Sequence, residues 1–352
     1  MRRLSTIRTI ASVDPIEGAD AIEVVTIDGW KVVSKKGEFK PGDLAVYFEI
    51  DSVLPNREEF EFLRKGCYVK KDWLVTDTNP TGEGFRLKTI KLRGQVSQGL
   101  VLPINTFLFK AVPEDGMCID GITGVVKWDP PVPASLAGKV RGNFPSFIPK
   151  TDQERIQNIK PADLEKYRDD LFEVTMKLDG SSMTVYSYND DHIGVCSRNL
   201  EIDWENDPDN IFAKVLVESG LREILKEHPG LAIQGELMGP GIQGNRENLD
   251  KHYFYVFDMY NIENGQYLSS EERLMILQRI HNNPNSKNKL IRHCPVVGYY
   301  KAAKFTPAEL LAEAVGPSIV NKVREGLVYK SVSNPDFSFK AISNKFLLKG
   351  GE

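Results

Sequence analysis

Between residues 127 and 150 the chain reads KWDPPVPASLAGKVRGNFPSFIPK, with five prolines and two glycines. Proline fixes φ and carries no amide donor, so neither a helix interior nor a central strand can run through such a stretch. A chain of 352 residues interrupted there is predicted to form two units. These are 1–126 and 151–352, with 127–150 as a linker or extended arm.

The first unit shows short alternating segments: AIEVVTI, WKVVSK, DLAVYFEI, FRLKTIKLRG and GLVLP, separated by turns such as Asp28-Gly29 and Pro41-Gly42-Asp43. Five or so short strands at this spacing predict a small OB-like β-barrel. Within it RLKTIKLRGQ reads as one strand. It places Arg86, Lys88, Lys91 and Arg93 within eight residues, either as an ordinary solvated face or as a surface for nucleic-acid phosphates.

The second unit mixes strand-like segments (LFEVTMKL, MTVYSY, HIGVCSR, LAIQGELMG, YFYVFDMY, EGLVYKSV and FSFKAI) with helical patterns. One helical pattern spans NIFAKVLVESGLREILKEH. Two further helix starts are marked by Ser269 with Glu272 and by Thr306-Pro307 with Glu309, both capping-box arrangements. The class is α+β, with a largely antiparallel sheet.

Composition narrows the function classes. The four cysteines lie far apart, with no CxxC pair and no histidine cluster at zinc spacing, which predicts free thiols in a reducing compartment. No segment approaches 18 consecutive apolar residues, and the N-terminus lacks the apolar core of a signal peptide. An intracellular protein with no membrane partner is expected, cytoplasmic or, in a eukaryote, nuclear or organellar. The net charge of −4 argues against a uniformly basic body but leaves room for a local positive groove. Residues 1–150 hold 21 Lys and Arg against 19 Asp and Glu, so a basic footprint is expected there or inside a cleft.

The chemistry centres on FEVTMKLDGSSMTVY, residues 172–186. Asp-Gly between alternating apolar residues is a hairpin signal that would make Lys177 a solvated flank. The alternative is a nucleophilic lysine at a strand end with Asp179 on the same face, since strand side chains repeat every second residue. Polar residues then recur at strand ends: Arg198 in SRN, Glu236 in GELMG, Phe257 in YVFDMY, Glu325 and Lys330 in EGLVYK, and Lys340 and Lys345 in SFKAISNKFLLK. These types suit nucleotidyl transfer. An unperturbed lysine, with a pKa of about 10.4, is almost wholly protonated at neutral pH, so an attacking amine needs help from a metal ion and basic neighbours. Asp179, Glu236 and Glu325 could hold a hydrated Mg2+. Arg198, Lys340 and Lys345 could neutralise phosphate charge, and Phe257 offers a flat face to a base.

Six short motifs in this order resemble the covalent nucleotidyltransferase superfamily of ATP-dependent ligases and capping enzymes. The resemblance implies Lys177 as the site of lysyl-AMP, and Asp179 and Glu325 in the service of Mg2+ or Mn2+. It further implies Arg198 on ribose or phosphate, Glu236 on a ribose hydroxyl or the metal, and Phe257 and Val328 on either face of adenine. Lys340 would contact the α-phosphate, with Arg155, in DQERIQN, on substrate phosphate. Related ligases often carry a second lysine where Ile342 stands here, and Lys345 is the candidate replacement. Only 12 residues follow Lys340, so no C-terminal OB domain is expected, whereas the OB-like segment lies N-terminally. This arrangement is similar to the RNA ligases called family 5. It implies ATP-dependent joining of a 3′-OH to a 5′-phosphate at a nick in duplex RNA, by a protein expected to be monomeric. A GTP-dependent guanylyltransferase and an inactive RNA-binding protein on a ligase scaffold are the alternatives.

Overall fold

The computed structural model describes residues 2–131, 138–188, 192–282 and 290–350. The chain divides into two compact units, Met1–Pro131 with Leu347–Glu352, and Val132–Phe346.

In the first unit, short antiparallel strands surround one apolar cluster that includes Ile7, Val46, Phe48, Leu54, Phe60 and Phe85. Leu44–Phe48 pairs with Ser5–Thr9 on one side and Leu100–Pro103 on the other. Ser12–Pro15, Ile22–Ile27 and Trp30–Lys35 form a meander whose tight turn at Asp28 is left-handed, with φ of 50°. WKVVSK buries Trp30, Val32 and Ser34 and exposes Lys31 and Lys35, as period-2 alternation requires.

The second unit is built on two sheets. An eight-stranded sheet runs in the order Val140–Asn143, Leu200–Ile202, His192–Cys196, Ser181–Tyr188, Leu231–Met238, Tyr253–Asn261 and Gln266–Tyr267, with Ile291–His293 added in parallel to Tyr253–Asn261. A five-stranded sheet runs Glu154–Arg155, Ser338–Ile342, Gly326–Ser331, Phe172–Lys177 and Val296–Tyr300. All pairings in both are antiparallel except Ile291–His293 with Tyr253–Asn261 and Glu154–Arg155 with Ser338–Ile342.

Three expectations need correction. RLKTIKLRGQ is not one strand: Glu83–Arg86 ends before Lys88, and Thr89–Leu92 turns at Arg93-Gly94 to pair with Gln95–Gln98 as a separate hairpin. The long helical pattern is two helices, Ile211–Glu218 and Leu221–Glu227, because Gly220 takes a left-handed conformation with φ of 77° and ends the first. The proline-rich stretch is not a free arm at its flanks. Val126–Lys127 pairs with Ser52–Pro55, Val140–Asn143 forms an edge strand, and Ile148 is buried; residues 132–137 lie outside the described residues. Both capping boxes are present, with Ser269 and Glu272, and Thr306 and Glu309, exchanging side-chain and backbone hydrogen bonds. Among the described residues no helix is long and apolar enough to cross a membrane.

Candidate active site

The five-stranded sheet has two unlike faces, and alternation decides which residue meets which. Phe172 and Val174, Leu327 and Tyr329, Phe339 and Ala341 all point to one face and are fully buried in a single core with Leu164 and Leu310. Each contributes up to about 1.5–3 kcal/mol of burial if large. This core locks the register of the three central strands, since a one-residue slip would send the whole set to the wrong side. The opposite face then receives Glu173, Thr175 and Lys177, with Val328 and Lys330, and Lys340 and Ile342. Arg155, Lys340, Val328 and Thr175 are successive cross-strand partners and form one transverse row.

Lys177 is the last residue of its strand, opposite Gly326. The next strand, Ser181–Tyr188, belongs to the other sheet. The Asp-Gly pair is therefore a crossing between sheets and not a hairpin. Gly180 is required there by close approach: a Cβ would stand 2.5 Å from the Leu237 carbonyl oxygen and 2.9 Å from Glu236 Cγ. Its amide instead donates to Glu236 Oε1 at 3.0 Å.

The crossing gathers charge. Lys177 Nζ lies 2.7 Å from Glu325 Oε1, and Asp179 Oδ2 lies 3.0 Å from Arg246 Nε. Burial alone would lower the Lys177 pKa, but Glu325, Glu236 and Asp179 outweigh it and hold the ammonium form. Burial pushes Glu236 up to about 8, helped by the charges of Glu325 and Asp179 and opposed by Lys177 and the Gly180 amide. Asp179 is raised to about 6 by burial and Glu325, against Arg246 and Lys177. The site thus has more carboxylate than its two cations satisfy.

That excess is the test for a metal. Glu325 Oε2 is buried without a hydrogen-bond partner, and the donor set is all oxygen, which suits Mg2+ or Mn2+. Among the described residues no three His, Cys, Asp or Glu side chains are grouped to hold an ion unaided. An ion here would share these carboxylates with water or substrate phosphate, as Mg2+ commonly does.

Phe257 owes its direction to a β-bulge. Gln234 pairs with Asp258 and Gly235 with Val256, so Phe257 is the extra residue of its strand. Bulges re-aim side chains beside sites. It packs partly against the Leu178, Met238 and Tyr255 cluster, and its carbonyl accepts from Lys330 Nζ at 3.4 Å. Lys330 is buried and ion-paired with Asp258; burial depresses its pKa to about 8. The same buried layer pairs Arg273 with Glu173, which joins the Lys177 strand to the helix Ser270–Asn282.

Other candidates stand apart. Arg198 is part exposed and paired with Asp152 at 2.9 Å. Lys345 is exposed on the short helix Asn344–Leu347. Ile342, where related ligases often carry a second lysine, is 4 % exposed, so this position is used for packing. In the first unit Lys88, Lys91 and Arg93 are exposed, but Arg86 is buried with its guanidinium 4.0 Å over the Trp128 ring. Arg86 therefore leaves the set of candidate phosphate contacts. Sequence reasoning missed Arg246, whose only signal was the loop-forming run GPGIQGNREN.

Both parts of the chain match known proteins. A model of an OB-fold domain matches residues 4–104, and a model described as RNA ligase matches residues 170–342. No curated protein sequence matches the chain. Among solved structures, a mutant of the Naegleria gruberi RNA ligase with ATP and Mn is 42 % identical, with a TM-score of 0.90 over 100 % of both chains. The same ligase with PPi gives 42 % and 0.90 over 100 % of this chain and 99 % of that one. A further mutant with AMP and Mn gives 42 % and 0.90 over 99 % of each.

Proposed function

The chain belongs to the RNA ligases, those that depend on ATP, and from that premise we propose that Lys177 carries the AMP and that the ends joined lie at nicks in duplex RNA. The observation that supports the lysine most is its setting: Nζ on Glu325 at 2.7 Å, at a crossing shared by Asp179 and Glu236.

Lys177 rests as an ammonium because three carboxylates surround it. Its proton must leave before Nζ can bond to the α-phosphorus of ATP and displace pyrophosphate. Glu325, already hydrogen-bonded to Nζ, orients the amine and is the nearest acceptor on the chain. A divalent ion held by Asp179, Glu236 and Glu325 would neutralise these carboxylates and the phosphate charge, removing what keeps Lys177 protonated. Lys340, in the transverse row with Val328, faces the side where the nucleotide would lie and supplies positive charge to the α-phosphate. Arg155, beside it in the row, is assigned to substrate phosphate, and Arg198 to ribose or phosphate. Phe257 and Val328 hold adenine between them. AMP then passes from Lys177 to the RNA 5′-phosphate, and the 3′-OH displaces it.

In the first unit Lys88, Lys91 and Arg93 supply the RNA backbone contacts. The protein works as a monomer, and its four free cysteines fit a reducing compartment inside the cell. The test is incubation with labelled ATP and Mn2+ or Mg2+, followed by nicked duplex, single-stranded or blunt RNA. An acid-stable adduct that chases into sealed nicks supports the reading. Label from GTP, or an adduct that seals single strands better, overturns its nucleotide or substrate part respectively.

A further inference from the structure

Arg246 pairs with Asp179 as Lys177 pairs with Glu325, and nothing in the chemistry above uses it. Its loop is held with unusual force. Gln243, Asn245 and Asn248 all take positive φ, of 44°, 46° and 48°, within six residues. Non-glycine residues pay about 1 kcal/mol or more each for this, and such strain persists only where surroundings over-determine it. They do so here. Asn245 closes the loop through two side-chain hydrogen bonds to Leu249, at 2.9 and 3.0 Å. Glu247 is buried and accepts from Ser318 Oγ and from the Val320 amide at 2.9 Å. Asn321 donates to the Arg246 carbonyl oxygen.

What this frame delivers is one guanidinium. Its carbon lies 4.7 Å from the Phe346 ring centre, and its Nε lies 3.0 Å from Asp179, with the side chain 41 % exposed. Stacking fixes the plane of an arginine while leaving its remaining donors free to change partners. Resting on the reading of Asp179, Glu236 and Glu325 as the metal-holding group, we propose that Arg246 is an exchangeable stand-in for the metal. It neutralises Asp179 in the resting enzyme, and when a divalent ion takes that carboxylate its guanidinium is passed to the ATP phosphates beyond the α-position. It acts first as a positioning residue and then as a contact to the leaving group.

The proposal predicts effects of opposite sign, which a merely structural role cannot produce. In a Lys177→Met background that prevents turnover, Mn2+ binding is followed by EPR without nucleotide, and ATP and AMP binding by calorimetry. Arg246→Met should bind Mn2+ about threefold tighter, because a competing ion pair is gone. It should bind ATP about tenfold more weakly with AMP unchanged, because a charge-assisted phosphate contact is lost. Arg246→Lys should recover part of the ATP affinity, and both variants should melt as the parent does. Unchanged or weaker Mn2+ binding overturns the stand-in role. Equal losses for ATP and AMP, or a lowered melting temperature with all three ligands weakened, overturn it as well and leave the underlying site intact. Failure of the Arg246 parent itself to bind Mn2+ or ATP overturns the site reading together with this one.

Discussion

FEVTMKLDGSSMTVY and RLKTIKLRGQ both place charged residues at strand-like spacing, yet the fold treats them in opposite ways. The first keeps its pattern up to the crossing at Asp179-Gly180: Glu173, Thr175 and Lys177 share a face because Phe172–Lys177 is one unbroken strand whose opposite face is locked in a core. The second is cut in two, and the cut sends Arg86 inward onto Trp128 while Lys88, Lys91 and Arg93 go to or near a separate hairpin. Period-2 reasoning holds only as far as the strand runs, and what fixes the run is burial on the other face.

The sharpest way to test this contrast is at Lys177 itself. Lys177→Ala should abolish the protein–AMP adduct while the melting curve stays near wild type, since no other group at that position can form the N–P bond. An intact adduct would put the nucleophile elsewhere. Sealing of pre-adenylated RNA should survive the change, because that substrate bypasses the lysine.

Next in size is the transverse row. Lys340→Ala should lower kcat about 10²–10³-fold if its charge meets the α-phosphate, the range for one preorganised electrostatic contact. Lys345→Ala, whose side chain is exposed on its short helix, should stay close to wild type. Equal effects at both would mean that Lys345 reaches the nucleotide after all.

On the basic segment two variants should separate binding from stability. Replacing Lys88, Lys91 and Arg93 together should weaken RNA binding and reduce its salt slope by about two to three units at most, with little change in melting. Arg86→Ala should do the reverse, costing about 1–2 kcal/mol of stability through the lost ring contact and leaving the salt slope alone. If Arg86→Ala flattens the salt dependence instead, the inward reading of that residue is wrong.

The smallest effect expected is on stability against pH without metal. Asp179 and Glu236 have folded-state pKa values above their ordinary ones, near 6 and 8, so the folded chain binds more protons than the unfolded chain between about pH 4 and 8. Stability from these groups is therefore greatest at low pH and declines as pH rises through that window. Glu236→Gln should flatten the upper part, and saturating Mn2+ should reverse the decline. Thermal melts across the range would show it.

Much of the site was legible because its members sit on strand faces with an apolar reverse side: alternation placed Lys177 at a strand end, Val328 and Lys340 entered through the resemblance, and the cross-strand register puts all three on one face. Both capping boxes were legible because they are local. What escaped depends on distant or irregular backbone. Arg86 needed Trp128, far along the chain, to reveal its direction. Asp-Gly at 179–180 carries a hairpin signal, yet the strands it joins find partners in different sheets. Arg246 owes its place to three left-handed residues in a loop with no periodicity. Gly220 was visible, but the helical spacing on both sides concealed that it ends one helix before the next begins.

The extra residue at Phe257 also changes what a deletion there would mean. Because two residues of one strand face a single interval of its neighbour, the segments Tyr253–Val256 and Asp258–Asn261 keep their inward sides only by virtue of the offset. Shortening the strand by one residue would not simply remove an aromatic ring. It would rephase one half of the strand against the other, exchanging interior for exterior along several positions at once. For anyone grafting or trimming this strand, Phe257 behaves as a frame marker: a substitution at it leaves the register in place, where an omission does not.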